Sequence, residues 1–216
     1  YTASLKTIKG EKNTINNIKN FSVEVINEQT KILILTSVLH PDLGALKKAI
    51  EKNKQRSVDV FLINKFKKEI NDYQLVILNQ VNNKFKYVFK QIKTKNKNFF
   101  LISGTNTNWN FINKQQLQIA RNTINQTESY EAVFNNSFLT FSQKDIGFHQ
   151  LPPLKDKFGD IIISKEHQIL LFQKINGIEN KQPLLVTFED NNQKSGVLFG
   201  EGFWKWRVAS YLNTNT

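Results

Sequence analysis

Cysteine and methionine are both missing from these 216 residues, and histidine occurs only three times. The absence of cysteine excludes disulfides, thiolate metal sites and cysteine nucleophiles together. It leaves the redox compartment open, because a cysteine-free chain suits a reducing or an oxidising one. His40, His149 and His167 are dispersed, with no i, i+4 pair and no HExxH, so no metal site is expected. Glycine is sparse too, at nine residues, and the first strand-to-helix turn, "TSVLHPDLG", holds neither a Walker pattern nor GxGxxG. No phosphate-bearing cofactor is therefore expected. No apolar run approaches the roughly 18 residues of a membrane helix. With Tyr1 first and no methionine, the gene product is expected to begin upstream, so that leaders and anchors fall outside these residues.

What is present is a basic chain, with 30 Lys and Arg against 18 Asp and Glu for a formal charge of +12. Such a charge raises non-specific affinity for polyanions. The lysines are scattered among abundant Asn and Ile, a compositional habit rather than a designed surface, so nucleic acid is not an expected partner. The clearest interleaving of lysine with aromatics is "KFKYVFKQIKTKNK". There Phe85, Val88, Phe89 and Ile92 form a stripe facing a sheet while Lys86, Lys90 and Lys93 share another face, as on a solvated crossover helix. An apolar share of 39% is enough for one full domain with a genuine core.

Residues 1–30 read separately from the rest. "YTASLKTIKGEK" alternates like a strand, "NTINN" is turn chemistry, and "FSVEVIN" sets Phe21, Val23 and Val25 on one face of a second strand. Two strands cannot bury a sheet face alone. They are expected to be the tail of a preceding β-sandwich or an edge hairpin. From residue 31, "KILILTSV", "VDVFLI", "QLVILNQ" and "NFFLISG" are near-continuous apolar runs, the mark of strands covered on both faces. The segment "HPDLGALKKAIEKNK" starts a helix at Pro41. Strands joined by helical crossovers predict a doubly wound, flavodoxin-like, mainly parallel α/β sheet over 31–216. Later, "TNWNFINKQQLQIARNTI" reads as a loop followed by a helix. "DIIISKEHQILLFQKING", "QPLLVTFED" and "SGVLFGEG" read as strands that extend the sheet or form an antiparallel edge.

In such a sheet the site lies at the carboxyl ends of the strands. The loops there hold His40, Asp42, Asn79, Asn82, Gly104, Thr105 and Asn106. The strand–helix series ending in "FFLISGTNTNW" and "PLLVTFEDNNQKSGVLFGEG" resembles a class I glutamine amidotransferase-like domain. "GEKNTINNIKNFSVEV", "LPPL" and "GEGFWKWR" are similar to membrane-anchored Bacteroidetes proteins that carry such a domain beside von Willebrand factor A modules. The resemblance implies an extracytoplasmic position and a membrane tether outside these residues. It also implies a nucleophilic cysteine in the turn after "FFLISG", where this chain has Gly104, Thr105 and Asn106. A threonine replaces a thiol only with a base to activate it, and no histidine has triad spacing. Thr105 and His40 are thus weak catalytic candidates. The expectation is a non-catalytic interaction or scaffolding module of an envelope protein, with protein partners and no cofactor. The alternatives are a hydrolase or amidotransferase relative with a non-cysteine site, and a basic polyanion-binding domain.

"GEGFWKWRVASYL" closes the chain. It reads as a turn and a short helix in which Trp204, Val208, Tyr211 and Leu212 form one stripe, Phe203 and Trp206 another, and Lys205 and Ala209 the wettable strip. Trp204, Trp206 and Arg207 are read as a structural anchor, Arg207 stacking between Phe203 and Tyr211 or pairing with Glu201. Truncating either tryptophan to alanine is expected to cost about 3 to 5 kcal/mol.

Overall fold

The computed structural model describes residues 1–23 and 29–214. Two short strands, β1 (Thr2–Ser4) and β2 (Ile18–Asn20), pair antiparallel, and the Tyr1 and Phe21 rings stack at 5.8 Å beside them. The second strand lies before Phe21 rather than on "FSVEVIN", of which Val25 falls outside the described residues.

The main sheet begins with β3 (Thr30–Thr36), then α1 (Pro41–Glu51), β4 (Arg56–Leu62), β5 (Leu75–Asn79), α2 (Lys86–Thr94) and β6 (Phe99–Ile102). Each strand falls on one of the apolar runs, and Pro41 takes the first turn of α1, where its missing N–H costs nothing. Helix α2 and the residue that caps it bury Phe85, Val88, Phe89 and Ile92 to 2% exposure or less. These four strands are mutually parallel, in the order β4-β3-β5-β6.

After β6 the alternation of strand and helix stops. Helix α3 (Trp109–Asn113) has five residues, and the stretch read as a following helix is instead β7 (Ile119–Phe134), a strand of 16 residues. Then come β8 (Leu154–Ile163), β9 (Gln168–Ile175), β10 (Ile178–Asp190), β11 (Gln193–Leu198) and α4 (Trp204–Thr214). The result is one mixed sheet of nine strands, β4-β3-β5-β6-β11-β10-β9-β7-β8, and helical residues make up only 21% of the chain. The doubly wound, flavodoxin-like, mainly parallel α/β sheet is therefore corrected. From β11 outward every strand pair is antiparallel, and hairpins replace crossover helices.

The turn residues explain the change. Asn176 and Gly177 have φ of +48° and +82°, and Asn191 and Asn192 have +46° and +65°. Two consecutive left-handed residues make the tight turn whose twist matches a hairpin, and asparagine and glycine are the residues that tolerate it. The second of these hairpins inserts β11 between β10 and β6, parallel to β6. The antiparallel wing then curls back. At the far edge of the strand order, Lys155 of β8 exchanges two backbone hydrogen bonds of 2.9 Å with Glu201, just past the end of β11.

The closing helix packs differently from its expected stripe. Phe203, Trp206 and Ala209 lie against the core, while Val208, Tyr211 and Leu212 are exposed. Residues 203, 206 and 209 share a side at three-residue spacing, so the helix touches the domain along a narrower line than its composition suggests.

Candidate functional site

The carboxyl ends of β3, β5, β6 and β11 meet at one edge, and their loops collect most of the sequence candidates. Thr105 donates to Glu201 Oε1 at 2.8 Å, and Gln80 Nε2 donates to Glu201 Oε2. Gln80 is fully buried and held at φ +48°, a conformation rare for a side-chain-bearing residue. Its other amide atom, Oε1, accepts from the Asn106 N–H at 3.0 Å. Gly104 donates its N–H to Thr107 Oγ1 at 2.9 Å. A Cβ on Gly104 would fall on the Glu201 carboxylate, which is why this position carries no side chain.

His40 and Asp42 do not join this group. His40 is the N-cap of α1, its Nδ1 lying 3.2 Å from the Asp42 N–H and 3.1 Å from Asp42 Oδ2. Asp42 is fully buried and accepts from Gly202 N at 2.7 Å and Trp204 N at 2.8 Å. One carboxylate thus lies in the first turn of α1 and at the start of α4, where two positive helix ends favour its charge. Asn82 caps a single helical turn through Lys84 N. Asn79 accepts from Thr36 Oγ1 at 2.9 Å, and its buried Nδ2 has no partner among the described residues.

The anchor residues divide. Trp206 donates Nε1 to Pro152 O at 2.7 Å and meets Phe148 edge-on, so "LPPL" is its seat. Trp204 is half-buried, with Lys205 over its ring. Arg207 is exposed and reaches Ala45 O at 3.4 Å, the Glu201 carboxylate being engaged elsewhere.

Behind the edge lies a buried polar network that the sequence reading missed. Arg121 of β7 and Asp156 of β8 pair at 2.6 Å with both side chains fully buried. Asp156 also accepts from Ser103 Oγ and from Lys157 N. Arg121 donates to Tyr130 OH at 3.0 Å, and its guanidinium sits 5.5 to 5.7 Å from the rings of Trp109, Tyr130 and Phe199. Burial pushes the Asp156 carboxyl above its ordinary value, opposed by the Arg121 charge and the hydrogen bonds. Burial likewise pushes the Tyr130 hydroxyl up to about 12. Arg121, following Ile119 and Ala120 in "QIARNTI", was the available signal, hidden by the helix assigned there.

Chemically the edge offers a hydroxyl and a carboxylate in contact. Acyl transfer at Thr105 would need an activating base and donors for an oxyanion. Glu201 is shared with Gln80, no imidazole bonds Thr105, and the N–H groups on either side, of Gly104 and Asn106, already have acceptors.

No described family matches the sequence, and no curated protein matches it. Solved structures do share the fold. The chain is similar to alpha-L-fucosidase isoenzyme 2 from Paenibacillus thiaminolyticus, with a TM-score of 0.53 at 10% identity over 86% of this chain and 31% of that one. An exo-beta-1,4-mannosidase from Opitutaceae bacterium strain TAV5 gives 0.52 at 8% identity, over 87% and 34%. A catalytic mutant of a GH42 beta-galactosidase from G. stearothermophilus gives 0.50 at 9% identity, over 86% and 29%. The chain spans about a third of the length of these structures. At such identities the likeness is one of fold. It replaces the flavodoxin-like and amidotransferase-like expectations with the fold of a glycosidase domain.

Proposed function

We propose that the chain is a non-catalytic interaction module of a larger cell-envelope protein, presenting the loops at the carboxyl ends of its parallel strands to a protein partner. The observation that carries this reading is the closed set of hydrogen bonds around Thr105. The hydroxyl, the carboxylate it touches and the two flanking N–H groups are all engaged within the protein. Beside this edge, Leu39 is 78% exposed at the mouth of an open cleft of about 450 Å³ shared with His40, Pro41, Leu43 and Lys47. An exposed apolar residue over a shallow, mainly apolar cleft suits a contact surface. The extracytoplasmic position and the tether belong to the same proposal. No helix among the described residues is long and apolar enough to cross a membrane.

The test uses the immobilised chain as bait for envelope proteins, with Leu39→Asp and Thr105→Ala as paired variants. A partner held by the original and by Thr105→Ala, but lost with Leu39→Asp, is the expected result. Turnover of ester, amide or glycoside substrates that disappears in Thr105→Ala would sink the proposal.

A further inference from the structure

Away from the strand-end edge, a cavity of about 800 Å³ opens over one face of the sheet. Its floor crosses β5, β6, β11, β10 and β9 through Leu75, Phe100, Gly196, Leu185 and Leu170. A doubly wound fold would cover such a surface with a helix. Here, among the described residues, 139–141 of the segment between β7 and β8 line its opening. Gly196 makes the floor flat, because a Cβ there would lie 2.8 Å from the Phe100 ring carbons, so the ring rests where a side chain would stand. Of the roof, Thr140 reaches Thr187 at 3.3 Å and Phe141 packs edge-on against Phe138 at 4.8 Å, yet Leu139 remains 83% exposed and Phe141 49%.

The titratable groups of the lining are Glu166, His167, Glu189 and Lys194. Glu189 and Lys194 are cross-strand neighbours on β10 and β11, but they form no ion pair. Neither the Glu166 nor the Glu189 carboxylate has a hydrogen-bond or ion-pair partner among the described residues. The nearby Lys165 is held by Asp190, and Lys174 by Glu131. Counted formally, in the same way as the +12 of the whole chain, two carboxylates against one ammonium leave this rim at −1. A locally acidic rim on a basic protein favours a cation, and an apolar floor with a few convergent polar groups is the usual build of a small-molecule site.

We propose that this cavity binds a cationic amphiphile, an apolar alkyl or aryl body carrying an ammonium or guanidinium head. The body lies along Phe100, Leu185 and Leu170 beneath Phe141, and the head is held by Glu166 and Glu189. The volume falls within the roughly 300 to 1,000 Å³ of sites for ligands of this size. This site is separate from the strand-end edge and independent of the function proposed for it.

The test is a calorimetric titration of the full chain with three probes sharing one body, 4-phenylbutylamine, 4-phenylbutyrate and 4-phenylbutanol. The amine is expected to bind at least ten-fold more tightly than the carboxylate, against the pull of the chain's net charge. In Glu166→Gln/Glu189→Gln, whose two sites are exposed and whose thermal unfolding should not change, that preference falls below about two-fold. Thr187→Trp, which fills the floor, removes saturable binding of all three. Equal or tighter binding of the carboxylate or the alcohol, or an amine preference that survives the double Gln variant, or no saturable binding to the original chain, overturns the proposal.

Discussion

Replacing Arg121 with methionine keeps most of the side-chain volume and removes the charge that faces Asp156. In the original chain that carboxylate is fully buried and receives Arg121 at 2.6 Å, Ser103 Oγ and Lys157 N. Two of its three partners survive the change, so hydrogen bonding is only thinned; the loss is that of the counter-charge. Breaking a buried pair from one side costs about 3 to 5 kcal/mol, against 0 to 1 for an exposed pair. That is a large part of the roughly 5 to 15 kcal/mol that holds a domain together. The sign with pH follows from Asp156. Its folded value is raised above the ordinary 3.8, so its contribution is fully present below pH 3.8 and declines as pH rises through the folded value. Without Arg121 the main opposing influence is gone and the decline extends to higher pH. The penalty of Arg121→Met should therefore shrink on going from pH 7 to pH 4. Urea unfolding followed by fluorescence measures this, with Trp109 beside the guanidinium as reporter. Arg121→Met/Asp156→Leu, which removes both charges, should regain most of the loss. A single variant costing under about 1 kcal/mol at pH 7, with no dependence on pH, would refute the reasoning.

Tyr73 and Tyr130 are both pushed up to about 12 by burial, so a spectrophotometric titration should show two tyrosine equivalents still ionising near pH 12. Their stabilising contribution is complete below pH 10 and is lost between pH 10 and 12, about 2 to 3 kcal/mol each at most, readable as a falling urea midpoint over that range. Trp206→Ala should cost about 2 to 3 kcal/mol, since it loses the Pro152 bond and the Phe148 contact, while Trp204→Ala should cost less. Thermal unfolding ranks the two, and the reverse order would count against Trp206 as the anchor. Gly104→Ala drives a methyl into the Glu201 carboxylate and should cost about 1 to 3 kcal/mol, less if Glu201→Ala accompanies it.

The parallel half was legible because its evidence is local. Apolar runs, Pro41 and the stripe Phe85, Val88, Phe89, Ile92 state strand, cap and helix within a few residues each. The hairpin signals Asn176-Gly177 and Asn191-Asn192 were equally local. Their consequence, the insertion of β11 beside β6, was not, because strand order is a long-range property. β7 was misread because its outer half alternates weakly and its Arg121 faces inward. At the site, the gathering of Thr105, Gly104 and Asn106 followed from the loop, whereas Gln80 and Glu201 joined them from 26 and 96 residues away, through partners no spacing rule connects. Asp42 had the look of a functional acid and became a double helix cap, because α4 begins beside α1.

The curl of the antiparallel wing explains why so many polar groups at this edge are turned inward. β8 ends the strand order, yet its Lys155 pairs with Glu201 and its Asp156 with Ser103 at the end of β6, so the edge strand must return over the strands from which the wing departed. A strand brought there removes water from every group beneath it, and each buried donor or acceptor left alone would cost about 1 to 3 kcal/mol. Ser103, Arg121, Tyr130 and Asp156 satisfy one another on that account, and Glu201, fixed by two backbone bonds to Lys155, is held where Thr105 and Gln80 reach it. The same closure that satisfies the strand-end edge does not extend to the cavity over the sheet, where residues 139–141 line the opening and the carboxylates of Glu166 and Glu189 have no partner among the described residues. Room for a small ligand therefore lies where the chain did not have to satisfy itself, whereas the self-satisfied strand-end loops offer a surface and not a reactive pocket.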